Sequence, residues 1–238
     1  MHAYQFYSAP EKELPGELLV LEDDEFRHCC RVLRKTIGDE IDVFDGKGRR
    51  WTARIEAMGK ASAECKIIKE CAPQPRLKPS LLLGVGILKT NQIDEIVVNA
   101  TALEASVIAF LPTVHSIKNR INKPRLEKLA LTAAKQSGQA YLPQILVLSM
   151  AEWLQLNSAV ELKLIAEQQD SVTLNQIKNI KTAGQVAVMI GPEGGFDSAE
   201  IQQARQAGFI KVNIFPYRLR TELAAVTSLA AIRTLTAN

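Results

Sequence analysis

IGPEGGF (residues 190–196) ends the apolar run QVAVM and leads into DSAEIQQARQAGF (197–209). Glycine admits backbone conformations that a β-carbon forbids, and it lets another group come close to the main chain. Three glycines and a proline at the end of a buried strand therefore make either a ligand cradle built from backbone or a tight corner. Glu193 is the one carboxylate in the turn. The next stretch reads as a helix: Asp197 caps it, Glu200 three residues on completes a capping box, and Gly208 closes it.

Around this turn the second part of the chain alternates strand and helix. SLLLGVGIL (80–88), SVIAFLPT (106–113), LKLIAE (162–167), QVAVMIG (185–191) and KVNIFP (211–216) are buried-strand runs. QIDEIVVNATAL (92–103) and PRLEKLALTAAKQSG (124–138) carry apolar residues at helical spacing. The pattern predicts an α/β domain with a mostly parallel sheet covered on both faces. Ligands bind such sheets beyond the carboxyl ends of the strands, which is where the glycine turn falls. PYRLRTELAAVTSLAAIRTL (216–235) places a second loop before a final helix. Thr221 is its expected N-cap, and Glu222 in the first turn suits the positive end of the helix dipole.

CAPQPRLKPS (71–80) holds three prolines and reads as a linker. The expected organisation is a small barrel over 1–72, a linker over 73–79 and the α/β domain over 80–238. Upstream of the linker, DEIDVFDGKGRRWTARIEAM is strand, Asp45-Gly46 turn, strand, and SAECKIIKE continues the pattern. One helix is expected across 23–35, with Phe26, Cys30 and Leu33 facing inward. Arg27, Arg31 and Arg34 recur on another face, a stripe that suits either an RNA backbone or a solvated surface balanced by EDDE.

Composition narrows the class. The 238 residues are 47% hydrophobic and carry a net charge of +3, with no apolar run near the ~20 residues of a membrane helix. The first residues lack the basic end and apolar stretch of a signal peptide, so a cytoplasmic location is expected. Residues 1–78 hold 14 basic and 14 acidic side chains, so the excess lies downstream. Lys118, Arg120, Lys123, Arg125, Lys128 and Lys135 cluster against Glu127 alone, a patch for phosphates or an ordinary solvated face. Cys29, Cys30, Cys65 and Cys71 lack metal-site spacing, and reduced thiols with no metal are expected. No P-loop or G-x-S-x-G elbow occurs, GVGILK (84–89) lacks the third glycine of a dinucleotide fingerprint, and the histidines are His2, His28 and His115.

The strand-end loops IGPEGGF and LRTELAA, together with HCCRVLR, GDEIDVFDGKG, LALTAAKQSGQAYLPQI and EIQQARQAGF, resemble the RsmE family of the SPOUT class of RNA methyltransferases. The resemblance spans nearly the whole chain. It implies a PUA-like β-barrel that binds RNA, followed by an α/β methyltransferase domain tied in a C-terminal trefoil knot. It further implies a homodimer, S-adenosylmethionine as cofactor, and methylation of N3 of a uridine in small-subunit ribosomal RNA. Other RNA targets, ribose 2′-OH methylation and a non-catalytic RNA-binding role are the alternatives. The matching cofactor cradle is Ala166 and Glu167, then Ile190, Gly191, Pro192, Glu193, Gly194 and Gly195, then Leu219, Thr221 and Ala224. Arg220 and Glu222 are the implied catalytic residues, the first bracing a uridine carbonyl and the second orienting the base. Arg27, Arg31, Arg34, Lys118, Arg120 and Lys135 are the candidate RNA contacts. Against the family pattern, Ala102 stands for an acid, TVHS (113–116) for a Glu-Arg pair, Lys135 and Gln139 for Glu and Arg, and Leu223 for threonine.

Overall fold

Contacts divide the chain into two units, Met1–Arg76 with Leu131–Leu142, and Leu77–Ala130 with Pro143–Asn238. The computed structural model describes residues 5–8 and 18–236, so His2 lies outside the described residues.

In the first unit, strands β1 (Gln5–Tyr7), β2 (Leu18–Glu22), β3 (Glu40–Phe44), β4 (Arg50–Met58) and β5 (Ser62–Cys71) form one sheet in the order β1-β3-β4-β5-β2. β1 runs parallel to β3, and the other pairs are antiparallel. Period-2 alternation puts Trp51, Ala53 and Ile55 of β4 into a core with Phe6, Leu19, Leu21 and Val43. The link between β3 and β4 is longer than a two-residue turn. Asp45, buried there, accepts from the amides of Lys47 (2.7 Å) and Arg49 (3.1 Å) and from Arg49 Nε (2.8 Å).

The helix expected over 23–35 is shorter and changes pitch. α1 (Asp23–Arg27) passes into a π-helical turn over His28–Val32, where the Leu33 amide donates to the His28 carbonyl at 3.0 Å. The wider turn rotates later side chains away from their α-helical register. Phe26 and Cys29 are buried, whereas Cys30 and Leu33 are only partly so. Burial pushes the Cys29 and Cys65 thiols up to about 12.

Residues 131–142 pack with this unit. Phe44, Ala134 and Ala140 share a small core with Tyr7, Leu131 and Leu142. Gln5 Nε2 donates to the carbonyls of Gln139 (2.9 Å) and Ala134 (3.2 Å). Gln74 accepts from the Ala140 amide and from the Tyr141 hydroxyl, each at 2.8 Å.

The second unit is built on strands β6 (Ser80–Gly86), β7 (Ala105–Leu111), β8 (Gln144–Val147), β9 (Leu162–Ala166), β10 (Val172–Thr173), β11 (Gln185–Ile190) and β12 (Ile210–Asn213). They form a sheet of order β10-β12-β9-β11-β6-β7-β8, parallel throughout. Both faces are covered, which is why these strands are continuously apolar. Leu81, Leu83, Val85, Val186 and Val188 face one core, while Leu82, Ala187 and Met189 face another with Trp153 and Phe209. The helices are α2 (Thr90–Ala102), α3 (Lys123–Ser137), whose last residues belong to the first unit, α4 (Met150–Leu156), α5 (Ser198–Gln206) and α6 (Thr221–Thr236). Among the described residues no helix is long and apolar enough to cross a membrane.

The glycines of GVGILK serve packing. A β-carbon at Gly84 would stand 2.7 Å from the Trp153 ring, and one at Gly86 would stand 2.5 Å from Pro192 Cδ. α2 and α6 pack through Ile93, Ile96, Val97 and Ala100 on one side and Ala225, Leu229 and Ile232 on the other, each a helical stripe. At their carboxyl end Arg233 donates to the carbonyls of Pro79 (2.6 Å), Glu104 (2.9 Å) and Leu103 (3.0 Å). A cation suits the negative end of α2. Arg233→Leu strands three carbonyls and is expected to lower unfolding stability by about 3 kcal/mol in urea titration. An unchanged midpoint would show the clamp to be dispensable.

Candidate functional site

The carboxyl ends of β9, β11 and β12 open into a cleft of about 960 Å³, which the amino-terminal turns of α2 and α6 complete. Every residue of the expected cradle lines it: Ala166 and Glu167, Ile190 to Gly195, and Leu219, Thr221 and Ala224. Arg220 and Glu222 line it too. Segments separated by tens of residues thus meet because parallel strands deliver their following loops to one edge.

The glycine turn is held on all sides. The Gly195 amide donates to the Pro192 carbonyl at 2.8 Å and Gly195 has a φ of +75°, the left-handed region that glycine adopts without strain. His115 lies against Gly194, so close that a β-carbon there would be 2.9 Å from His115 Cβ. His115 Nδ1 is also 3.1 Å from the Gly195 carbonyl oxygen. Arg218 Nη2 donates to the Glu193 carbonyl at 2.8 Å. The helix after the turn has the capping box read from the sequence: the Glu200 amide donates to Asp197 at 2.7 Å and the Asp197 amide to Glu200 at 2.9 Å. The second oxygen of Glu200 accepts from the Val114 amide at 2.9 Å, fastening the TVHS loop to the same corner.

Gln92 joins the two halves of the cradle, and nothing in its local sequence announces this. Its Nε2 donates to Glu193 (3.1 Å) and to Glu222 (3.0 Å). Its carboxamide oxygen accepts from the Lys89 amide at 3.3 Å, which fixes which end of the amide faces the carboxylates. Glu222 is buried and bound to Gln92, not to Arg220. The Arg220 guanidinium is exposed and has no hydrogen-bond or ion-pair partner among the described residues. The Ala224 amide donates to the Arg220 carbonyl at 2.8 Å, so Arg220 holds the cap position and Thr221, the expected N-cap, is the first helical residue.

The candidate RNA contacts fare differently. Arg27 and Arg31 are exposed, and Arg27 pairs with Asp24. Arg34 lies past the π-helical turn with a φ of +55°, so the three arginines do not share one helix face. Lys118 and Arg120 are exposed in the loop before α3. Lys135 is turned inward, 2.8 and 2.9 Å from the Glu25 oxygens, 3.3 Å from His28 Nδ1 and 5.5 Å from the Phe6 ring centre. Burial, then Lys135, holds the His28 imidazole below its usual range, against the opposing pull of Glu25. Arg125 forms a two-pronged pair with Asp94 (2.6 and 2.8 Å). Carboxylates from distant segments thus neutralise part of a cluster that looks almost unopposed along the sequence. Among the described residues no group of three or more potential ligands could hold a metal ion.

Gln92→Leu leaves Glu193 and Glu222 without their shared donor. It is expected to lower the melting temperature by several degrees, since losing hydrogen bonds to charged groups costs about 1.5–3 kcal/mol each. An unchanged melt by differential scanning calorimetry would show that the bridge holds nothing in place.

Residues 75–233 match the model of the RNA methyltransferase domain family, and residues 21–68 match that of the RNA methyltransferase PUA domain. The ribosomal RNA small subunit methyltransferase E of Aquifex aeolicus is 29% identical over 236 residues, covering 93% of this chain and 95% of the relative. A crystal structure of a ribosomal RNA small subunit methyltransferase E from Neisseria gonorrhoeae, bound to S-adenosyl methionine, superposes with a TM-score of 0.88 at 31% identity, covering 98% of each chain. A putative methyltransferase from Legionella pneumophila with bound cofactor SAM also gives 0.88, at 25% identity, covering 99% of this chain and 98% of the other.

Proposed function

The chain belongs to the RNA methyltransferase family, and from that premise we propose that it transfers the methyl group of S-adenosylmethionine to N3 of a uridine in small-subunit ribosomal RNA. One observation carries the reading: three separate segments, each implied by the resemblance to hold the cofactor, line a single cleft at the strand ends. The relatives' names point to small-subunit ribosomal RNA and to this cofactor. The cytoplasm, where that RNA is made, is the proposed location, and a homodimer the proposed assembly. The insertion of β11 between β9 and β6, with β12 on the far side of β9, suits the proposed knotted path.

The cleft fits such a cofactor on its own terms. Gly195 lines the cleft, and a β-carbon there would meet no atom within 4 Å, so the turn borders open space at that point. Glu193 and Glu222 bring negative charge to the lining of the cleft, which suits a positively charged sulfonium. Ile190 to Gly195 and Leu219 to Ala224 would hold the nucleoside through backbone groups, with Ala166 and Glu167 at a further wall. When bound, the cofactor supplies a methyl group on a positively charged sulfur, open to in-line attack.

The remaining work falls to Arg220 and Glu222. As the N3 proton of uridine passes to solvent water, negative charge spreads onto the neighbouring carbonyl oxygens. Arg220, at the cleft and without a hydrogen-bond or ion-pair partner among the described residues, stabilises that charge through its guanidinium donors. Glu222, its Oε2 held by Gln92, orients the base with its other oxygen. Arg27, Arg31, Lys118 and Arg120 are proposed phosphate contacts; Lys135, with its ammonium engaged by Glu25, serves as structure.

Mass mapping of nucleosides in small-subunit ribosomal RNA, from cells with and without the gene, is expected to show loss of N3-methyluridine at one site. Loss of a 2′-O-methyl instead, or no change, would overturn the assignment. Arg220→Ala is expected to cut methyl transfer roughly 10²-fold while cofactor affinity stays within a factor of a few. Undiminished turnover would remove Arg220 from the role.

A further inference from the structure

Six of the seven phenylalanines, Phe6, Phe26, Phe44, Phe110, Phe196 and Phe209, are at most 7% exposed. Phe215 is 45% exposed, and Tyr217 beside it is 76% exposed. Leaving two large rings in water at one spot forgoes burial that the other six phenylalanines obtain, and such a patch marks an interaction site. Both rings border the candidate cofactor cleft, with centroids 6.1 Å apart and planes tilted by 55°. The loop that carries them is anchored on either side. Asn213 Oδ1 accepts from the Phe215 amide at 3.1 Å, and Arg218 is tied to the Glu193 carbonyl at 2.8 Å.

We propose that Phe215 and Tyr217 form a stacking platform for an unpaired nucleobase of the RNA substrate, next to the methyl-transfer site. The inference rests on the RNA methyltransferase reading and adds residues that the resemblance does not assign. A uridine N3 engaged in pairing is out of reach, so the target strand must present unstacked bases, and aromatic faces are what single-stranded RNA stacks upon. The neighbouring Arg218 and Arg220 bring positive charge to the same loop, which matches a base carried on a phosphate backbone. The cleft of about 960 Å³ lies near the top of the ~300–1,000 Å³ range of small-molecule sites, leaving room for a nucleotide beside a cofactor.

The test uses the full-length protein, unmethylated small ribosomal subunits and radiolabelled S-adenosylmethionine. Tyr217→Ala is expected to raise KM for the subunits roughly 10-fold, and Phe215→Ala with Tyr217→Ala further, with kcat changed by less than about threefold. Tyr217→Phe and Tyr217→Trp, which keep a stacking face, are expected to stay within about twofold of wild type. Cofactor affinity by calorimetry and mass by light scattering should not move. Unchanged KM in the double variant, with the wild type active, overturns the platform alone. Tyr217→Phe as impaired as Tyr217→Ala assigns the effect to the hydroxyl and overturns it likewise. A change of oligomeric mass in the variants makes the rings an interface between copies and overturns it too. A wild type that methylates no RNA overturns the underlying function and the platform together.

Discussion

The packing of α2 along α6 sets the geometry of the cleft. Gln92 at the start of α2 meets Glu222 at the start of α6, and Arg233 near the end of α6 reaches the carbonyls beyond the end of α2. The helices therefore run the same way and are pinned at both ends, with Ile96, Val97, Ala225 and Leu229 filling the space between. Their positive amino-terminal ends open on the cleft, where two carboxylates balance them. Rotating or sliding either helix would pull Glu222 off Gln92 and open the glycine turn, since Gln92 holds Glu193 as well.

A site of this kind is made mainly of backbone. In the proposed reading its recognition surface is the main chain of two corners, and several side chains hold those corners in place. His115 and Arg218 bind carbonyls of the glycine turn, Glu200 fastens the neighbouring loop, and Pro192 packs on the space that Gly86 leaves. Methyl transfer asks mostly for placement, so rigid corners suit it.

Much of the frame was legible in the sequence because it depends on local pattern. Continuous apolar runs marked the parallel strands, and Asp197 with Glu200 marked the helix after the glycine turn. Ser149 and Glu152 carry the same capping signal for α4 within SMAEWLQL (149–156). What escaped depends on partners far along the chain. Gln92 to Glu193 spans 101 residues, Lys135 to Glu25 spans 110, and Arg125 to Asp94 spans 31. No local window reveals that the Lys135 ammonium turns inward onto Glu25 or that 131–142 packs with the first unit. The π-helical turn at His28–Val32 was hidden for another reason: a 3.6-residue period fits its side chains almost as well until one sees Cys29, not Cys30, in the core.

Amide hydrogen exchange, followed by mass spectrometry with and without S-adenosylmethionine, reads directly whether the two backbone corners hold the cofactor. Slowed exchange is expected only at Ile190–Gly195, Leu219–Ala224 and the loop at Ala166–Glu167, with the first unit unaffected. No protection at the glycine turn under saturating cofactor, or protection centred elsewhere, would contradict it.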